Sequence, residues 1–501
     1  MSRSGRVTAD RVALARRATL KRMALAAACT GSVDSLWGAS LPPAQDLVVL
    51  LPGIMGSVLQ RKGKDVWALS AQGAYGVLKS LGEDLTRLTL RNDTPDAADL
   101  DDDVVATALF SDVHLIPGFW KIDGYDKVRA ALARRVELRP GENYIEFPYD
   151  WRRDNRSSAR KLAKALPGWL EKWRKVSGNA QAKVTFIAHS MGGLVARYYI
   201  ECLDGWQVTR QLITFGTPFR GSLNALDYLS NGYPLGVAGI RVGDMSALVR
   251  SFTSVYQLMP RYPCVDVGDK VLRRPGEASG IPYVDVARAK AALVFHREID
   301  AAVERNSALP EYIKSGYVMR PIVGMYQRTR QSGRIEGGKL VMKFELNGRD
   351  EEGDGTVPAP SAIPLGGDAA QQTAIDNGAA YFAGLHASLQ NLEPVGVHAS
   401  ALLLNRSFDG YRSAPRYALY VQDAYRAKEP VVLSCSSGSE GNAVVSVRAE
   451  RGAFQWARDG IKLRRDEPTP VEVGLLEPGS YRAMLSIPGQ PPISDVFVVT
   501  V

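Results

Sequence analysis

The stretch from Val184 to Ala196 constrains the fold of this chain more than any other. Thr185 to Ile187 are β-branched or aromatic, as residues of a central strand usually are, and the residues after the following turn fit a helix. Ser190 lies in that turn, with Ala188 two positions before it and Gly192 two positions after it. Such a strand–turn–helix unit lifts a serine hydroxyl clear of a sheet, which predicts a nucleophile. The alternative is a serine that merely falls in a turn.

The spacing around Ser190 is the G-x-S-x-G pattern of the α/β-hydrolase nucleophile elbow, with alanine in the first small position. A serine hydroxyl is a weak nucleophile, so it needs a base and N–H groups that hold the oxyanion. Leu47 to Leu51 is a continuous apolar run, typical of a buried parallel strand, and the glycine-rich loop Pro52 to Ser57 follows it. In this fold such a loop and the residue after the nucleophile each supply one N–H. The backbones of Ile54 and Met191 are therefore the predicted oxyanion hole.

The acid and the base of a serine triad are expected after the nucleophile, because the chain order in this fold is Ser, Asp or Glu, then His. Asp354 lies in a Gly-Asp-Gly turn after a predicted strand and is the predicted acid. The neighbouring acids Asp350 to Glu352 fit a solvated loop or a cation site. Of the two later histidines, His386 lies in a loop that opens a helix and is the predicted base; His398 is the alternative. The other histidines precede the acid: His114, His189 and His296.

Four motifs occur in order along the chain and together resemble one family. They are Leu51–Ser57, Tyr149–Arg152, Ala188–Gly193 and Thr214–Pro218. Over about residues 46–405 the chain resembles the lecithin:cholesterol acyltransferase family, which includes phospholipid:diacylglycerol acyltransferases, lysosomal phospholipase A2 and bacterial relatives. The resemblance implies an α/β-hydrolase acting on ester-linked acyl chains of lipids. The Thr-Val-Pro sequence shortly after Asp354 also matches the acid motif of that family.

The sequence predicts an α/β-hydrolase domain over residues 46–409, with an insertion at about 58–113 that has no clear periodicity. In the family, an insertion such as residues 223–315 forms a cap over the acyl site. Residues 410–501 change to short β-rich runs between turn residues, which predicts a small immunoglobulin- or fibronectin III-like sandwich. Leu476–Tyr481 resembles the tyrosine corner of such domains. We expect this sandwich to bind a protein partner or a membrane without a catalytic role, or only to stabilise the hydrolase.

Residues 1–45 are predicted to form a basic extension or a weak signal-like segment, because the apolar run Met23–Cys29 is short and mostly alanine. The formal net charge of +9 favours an anionic membrane, and without a nucleic-acid-binding motif we expect no nucleic-acid partner. The four cysteines show no metal-ligand spacing and are expected to be free. We therefore expect a cytoplasmic protein peripheral on a membrane, with export as the alternative.

The main functional hypothesis is a serine-dependent phospholipase or lipase that cleaves glycerophospholipid acyl esters through an acyl-enzyme. The substrate is a lipid at a membrane surface, and no metal or organic cofactor is required. An O-acyltransferase that passes the acyl chain to an alcohol uses the same triad and is the first alternative. A protease or amidase is another enzymatic alternative, and a catalytically inert hydrolase-fold scaffold is the alternative of a different class.

Overall fold

The computed structural model describes residues 41–67, 88–97, 99–111, 114–116, 120–237, 240–406 and 416–500. The predicted N-terminal segment up to residue 40 and the predicted boundary at 409/410 lie outside these ranges. Residues 43–501 form one compact unit. No helix in the described ranges is both long enough and apolar enough to cross a bilayer.

In chain order the helices are α1 (Asp126–Ala133), α2 (Asn155–Ser177), α3 (Gly192–Cys202), α4 (Leu223–Ser230), α5 (Ser246–Ser251), α6 (Thr253–Gln257), α7 (Val286–Ser307), α8 (Pro310–Ser315), α9 (Ala369–Gly378) and α10 (Glu393–Leu403). The strands of the N-terminal part are β1 (Leu47–Leu51), β2 (Ser57–Arg61), β3 (Lys64–Trp67), β4 (Val104–Leu109), β5 (His114–Ile116), β6 (Trp120–Ile122), β7 (Tyr144–Glu146), β8 (Val184–His189) and β9 (Thr209–Phe215). Those of the cap and the second half of the hydrolase are β10 (Pro234–Val237), β11 (Ile240–Asp244), β12 (Val265–Asp266), β13 (Leu272–Arg273), β14 (Val318–Met325), β15 (Ser332–Glu336), β16 (Lys339–Lys343) and β17 (Ala380–Ala383).

A parallel sheet organises the hydrolase, with the strand order β17-β14-β9-β8-β1-β7 among the described residues. Strands β1 and β8 are buried at every position, as parallel strands covered on both faces require. Leu51 lies opposite Ala188 and Ala188 opposite Thr214, so the carboxyl ends of these strands meet at one edge. Ligand sites of open α/β sheets form at this edge, and here it receives the loops after β1, β8 and β9.

The two insertions contain more β-structure than their sequences indicate. Strands β3, β2 and β4 form a small antiparallel sheet within the insertion predicted at 58–113, where we expected no regular pattern. The cap predicted at 223–315 contains α4 to α8 and also the hairpin of β10 and β11. Strands β12 and β13 of the cap join β15 and β16, which follow it in the chain, in one four-stranded sheet.

The C-terminal region forms two sheets that pack as a sandwich. Its strands are β18 (Tyr417–Tyr420), β19 (Ala424–Arg426), β20 (Val431–Ser437), β21 (Gly441–Ala449), β22 (Gln455–Leu463), β23 (Thr469–Gly474), β24 (Gly479–Ser486) and β25 (Ile493–Thr500). One sheet has the order β18-β20-β23 and the other β19-β25-β24-β21-β22.

Apolar side chains from both sheets fill the core of the sandwich, among them Val431, Leu433, Leu485 and Phe497. The Tyr481 hydroxyl donates to the Glu477 carbonyl at 2.7 Å, which is the contact that a tyrosine corner predicts. The predicted fold class, an α/β-hydrolase followed by a β-sandwich, is confirmed.

Candidate active site

The elbow between β8 and α3 holds Ser190 in a left-handed backbone conformation with φ of 52°. A non-glycine residue in this region stores about 1–3 kcal/mol of strain, which the surrounding structure must hold in place. The Ser190 N–H donates to the Phe215 carbonyl of β9 at 2.9 Å. A Cβ atom on Gly192 would lie 2.4 Å from the Pro52 carbonyl oxygen, so the second small position of the elbow motif is a steric requirement.

The structure brings the three predicted triad residues together. His386 Nε2 lies 2.9 Å from Ser190 Oγ, and His386 Nδ1 lies 2.7 Å from Asp354 Oδ2. Because a carboxylate only accepts, Nδ1–H donates to Asp354 and Nε2 is left to accept the serine proton. Ser190, Asp354 and His386 are 2%, 1% and 5% exposed, respectively, so the array is shielded from water. This is the arrangement in which a histidine serves a serine as general base.

The acid is held by its own loop. The second carboxylate oxygen of Asp354 accepts the N–H groups of Thr356 and Val357 at 3.0 and 2.7 Å. The Asp354 carbonyl accepts the His386 N–H at 2.8 Å, which fixes the base loop to the acid loop. These bonds orient the carboxylate toward the imidazole, as a triad acid requires.

The predicted oxyanion donors lie on either side of the serine. Met191 follows it at the N-terminus of α3, and Ile54 lies in the loop after β1. That loop runs close to the nucleophile, since a Cβ atom on Gly53 would lie 2.9 Å from Ser190 Cβ. Neither the Ile54 nor the Met191 N–H has an acceptor among the described residues. Two N–H groups without acceptors beside a serine can stabilise a developing oxyanion.

Side chains far away in the sequence fix the loop after β1. The Tyr149 hydroxyl donates to the Pro52 carbonyl at 2.8 Å, and Trp67 Nε1–H donates to the Met55 carbonyl at 3.2 Å. Trp151 Nε1–H donates to the Ser57 carbonyl at 3.1 Å. The aromatic residues of the Tyr149–Arg152 motif therefore hold the loop that contains Ile54, a role that the sequence does not indicate.

A buried chain of hydrogen bonds joins this loop to the base loop. The Gly53 N–H donates to the Tyr125 hydroxyl at 2.7 Å, and that hydroxyl lies 3.0 Å from His189 Nδ1. His189 Nε2 lies 3.0 Å from the His386 carbonyl. Since a carbonyl only accepts, Nε2 carries the hydrogen and Nδ1 accepts from Tyr125. Burial lowers the pKa of His189 to about 3, so this imidazole is neutral in the physiological range.

The remaining histidines lie elsewhere. His296 Nε2 lies 2.8 Å from the Gln257 carbonyl within the cap, and burial lowers the pKa of this imidazole to about 4. His398, the alternative base, lies in α10 with its ring 6.1 Å from that of Phe382. Neither contacts Ser190, whereas His386 does.

A narrow apolar cleft opens beside Ser190. Its apolar walls are formed by Ile54, Met55, Pro218, Ala225, Val249, Val255, Leu258 and Val357. An apolar stripe of the cap, from Met245 to Leu258, fits plain packing better than an acyl pocket, and Leu258 is its one member that lines this cleft. Met245, Leu248, Phe252 and Tyr256 are buried in packing instead, and the Phe252 ring lies 5.5 Å from that of Trp151. The cleft has a volume of only about 20 Å³, so its apolar walls must move apart to admit an acyl chain.

Comparisons with known proteins find similarity over parts of this chain. The family model described as lecithin:cholesterol acyltransferase matches residues 121–328 and supports a lipid acyl hydrolase or acyltransferase in general. An uncharacterized protein of Saccharomyces cerevisiae is 34% identical over 87 residues, which are 17% of this chain and 12% of that protein. The chain thus spans about an eighth of the length of this curated relative.

Solved structures also resemble this chain. The structure of the Tle4–Tli4 complex matches 72% of this chain and 97% of its own at 16% identity, with a TM-score of 0.44. The mature lipase BlEst2 of Bacillus licheniformis matches 73% and 96% at 15% identity, with a TM-score of 0.29. Phospholipase PlaB of Legionella pneumophila matches 90% and 90% at 10% identity, with a TM-score of 0.27.

Proposed function

We propose that this protein is a serine-dependent phospholipase or lipase that cleaves acyl esters of glycerophospholipids through an acyl-enzyme. The observation that carries the proposal is the hydrogen-bonded array of Ser190, His386 and Asp354 at the end of an apolar cleft. The family match supports a lipid ester as the substrate. The formal net charge of +9 supports work at an anionic membrane surface, where we expect the protein to be peripheral.

The proposed reaction begins when His386 Nε2 takes the proton of the Ser190 hydroxyl and Oγ attacks the ester carbonyl. The Ile54 and Met191 N–H groups hold the oxyanion of the tetrahedral intermediate. His386 then gives the proton to the departing alcohol, which leaves the acyl chain on Ser190. A water molecule, activated by the same imidazole, releases the fatty acid.

An O-acyltransferase is the second candidate, because the matching family model is named for an acyl transfer. The two reactions share every step up to the acyl-enzyme and differ in whether water or an alcohol resolves it. Hydrolysis is the preferred proposal, since water needs no dedicated acceptor site.

The test compares wild type with Ser190→Ala on mixed phospholipid vesicles, with products identified by mass spectrometry. Fatty acid and lysophospholipid from wild type alone are expected. Ser158→Ala is the matched control, because Ser158 is a buried serine in α2 outside the array. Acylated alcohol in place of fatty acid would identify a transferase, and a Ser190→Ala rate equal to wild type would refute the triad.

A further inference from the structure

A second and larger cleft, with a volume of about 1130 Å³, lies between the hydrolase and the sandwich. Asp354 and His386 lie in its wall on the hydrolase side, and Ala418 and Tyr420 of β18 line it on the sandwich side. It is therefore adjacent to the acid and the base, whereas the apolar cleft is adjacent to the nucleophile.

The two clefts share part of their lining beside the triad. Asn224 and Tyr228 of α4 and Thr356 of the acid loop line both of them. An ester whose carbonyl carbon lies at Ser190 therefore has the apolar cleft on one side and the larger cleft on the other. The apolar cleft has a volume of only about 20 Å³ and must widen to admit the acyl chain, whereas the larger cleft already has room for the other half of the molecule.

The protonation of the leaving alcohol assigns the two halves of the ester to the same two clefts. His386 must protonate the alcohol oxygen as it leaves, so the alcohol half lies on the side of this imidazole. We propose that the cleft between hydrolase and sandwich is the binding site for the alcohol half of the ester, and that strand β18 of the sandwich determines which alcohols fit. This inference rests on the proposed function.

The walls of the larger cleft suit a phosphoglycerol head group. Guanidinium groups of Arg328, Arg330 and Arg416 line it, and guanidinium is the side chain best shaped for phosphate oxygens. Besides Asp354, five acids line it and offer acceptors for the hydroxyl or ammonium groups of a polar head: Asp227, Asp350, Glu352, Asp423 and Asp495. Arg330 lies 3.3 Å from Asp227 and Arg416 3.9 Å from Glu352, so the cleft presents both signs of charge, as a zwitterionic head group requires.

The sandwich wall is fixed to the acid loop. The buried Gln327 side chain donates to the Tyr417 carbonyl at 3.3 Å and accepts the Leu419 N–H at 3.4 Å, as a neighbouring strand would. The Gln327 N–H donates to the Gly353 carbonyl at 2.9 Å, one residue before Asp354. The position of β18 is therefore tied to that of Asp354, the proposed acid.

The test fills the cleft from the sandwich side. Ala418→Trp places an indole in the cleft without altering the triad, and Val432→Trp is the matched control on an exposed position of β20, outside the cleft. Both variants are assayed with p-nitrophenyl decanoate and with didecanoyl phosphatidylethanolamine. We expect Ala418→Trp to lower the ratio of phospholipid to small-ester kcat/KM at least tenfold, and Val432→Trp to leave the ratio within twofold of wild type.

Other outcomes are equally decisive. An unchanged ratio in Ala418→Trp would overturn the proposal. If Ala418→Trp loses labelling of Ser190 by a small fluorophosphonate, Ser436→Trp replaces it, because Ser436 lies opposite Ala418 and also lines the cleft. Loss of labelling in both variants would contradict an alcohol site, since the wall would then support the triad itself.

Failure of the proposed function is recognised separately. A wild-type protein that cleaves p-nitrophenyl decanoate but no phospholipid refutes a phospholipase. The same ratio is then measured with monodecanoyl glycerol as the bulky ester, and an unchanged value in Ala418→Trp again overturns the alcohol site.

Discussion

The hydrolase and the sandwich differ in where their buried polar side chains lie. At the end of the parallel sheet, the hydrolase buries Ser190, His189, Asp354 and His386 together. In the described part of the sandwich, the buried polar side chains are Ser437, Arg482 and Asp495, and the rest of its core is apolar. Asp495 lines the cleft that faces the hydrolase, and Arg482 contacts Asp123 of the hydrolase. The sandwich thus places its buried charges at the junction.

This difference separates the hydrolase, which contains the candidate catalytic residues, from the sandwich, whose buried charges connect it to the hydrolase. Arg482 Nη1–H donates to Asp123 Oδ2 at 2.7 Å, and Arg482 Nε–H donates to Glu450 Oε1 at 2.7 Å. The Asp123 N–H donates to the Ala387 carbonyl at 3.1 Å, next to the base, and Asp123 lies two residues before Tyr125. Asp123 therefore connects the sandwich to the loop that contains His386. It also lies close in the chain to Tyr125, whose hydroxyl accepts the Gly53 N–H of the loop after β1.

The largest expected effect belongs to the hydrolase side of the comparison. Asp354→Asn should lower kcat about 10⁴-fold, because an amide at this position favours the wrong imidazole tautomer. The thermal unfolding midpoint should change little, and steady-state hydrolysis of a soluble ester measures the loss. Glu351→Gln, in the neighbouring acidic cluster, is the control and should retain wild-type activity. Equal losses in both variants would remove Asp354 from the triad.

The junction should be the most stability-sensitive part of the sandwich. Arg482→Met leaves the fully buried Asp123 carboxylate without its main partner, which should cost about 3–5 kcal/mol of unfolding free energy. Arg464→Met removes an exposed pair with Glu467 and should cost less than about 1 kcal/mol. Urea denaturation measures both. A small cost for Arg482→Met would show that the junction is not a structural tie.

A tyrosine-to-phenylalanine substitution in each region compares the effect of one buried hydroxyl on stability and on kcat. Tyr125→Phe leaves the Gly53 N–H and His189 Nδ1 unsatisfied in the core, which should cost about 1–3 kcal/mol and lower kcat more than it changes KM. Tyr481→Phe removes one hydrogen bond at the tyrosine corner and should cost about 0.5–1.5 kcal/mol with kcat unchanged. Parallel changes of kcat in both variants would argue that Tyr125 has only a structural role.

The last prediction concerns the dependence of the unfolding free energy on pH, which we expect to arise from a histidine of the hydrolase. The pKa of His296 is lowered to about 4 from an ordinary value near 6.5. Between these two values the unfolded state binds a proton that the folded state does not bind. Stability is then complete above about pH 6.5 and falls as the pH drops toward 4. His296→Gln should reduce this slope by up to about 1.4 kcal/mol per pH unit.

Urea titrations between pH 4 and 8 measure the slope, and identical slopes for wild type and His296→Gln would contradict the assignment. The sandwich region contains no histidine, since the last of the five is His398. Amide hydrogen exchange at pH 5 should therefore show protection falling first in the hydrolase.

The sequence predicts those parts of the molecule whose physics is local. Strand β1 is predicted correctly from its continuous apolar run, and the elbow from the spacing of small residues around Ser190. Chain order leaves His386 and His398 as candidate bases, and the Gly-Asp-Gly turn favours Asp354 as the acid. The structure places Asp354 and His386 in hydrogen-bonding contact with each other. Their catalytic roles stay a prediction.

Pairings across long separations leave no local pattern. Tyr125 and Gly53 are 72 residues apart, and Asp123 and Arg482 are 359 apart, so neither bond has a periodic signature. Strands β2 to β4 escaped prediction because each is short and lies on a partly exposed sheet. Helix α2 begins at Asn155, four residues before its first apolar residue, Ala159, because the Asp154 side chain accepts the Arg156 N–H as an N-cap.

The distance along the chain between nucleophile and base has a consequence during protein synthesis. Ser190 and His386 are separated by 196 residues, so the elbow leaves the ribosome well before the base exists. At about 5–20 residues per second, this interval is roughly 10–40 s. Strand β18 and Arg482, which both contact the hydrolase, are synthesised later still. A nascent chain therefore contains Ser190 for this interval without the predicted acid and base, so any activity that needs the three residues together begins only after most of the polypeptide has been made.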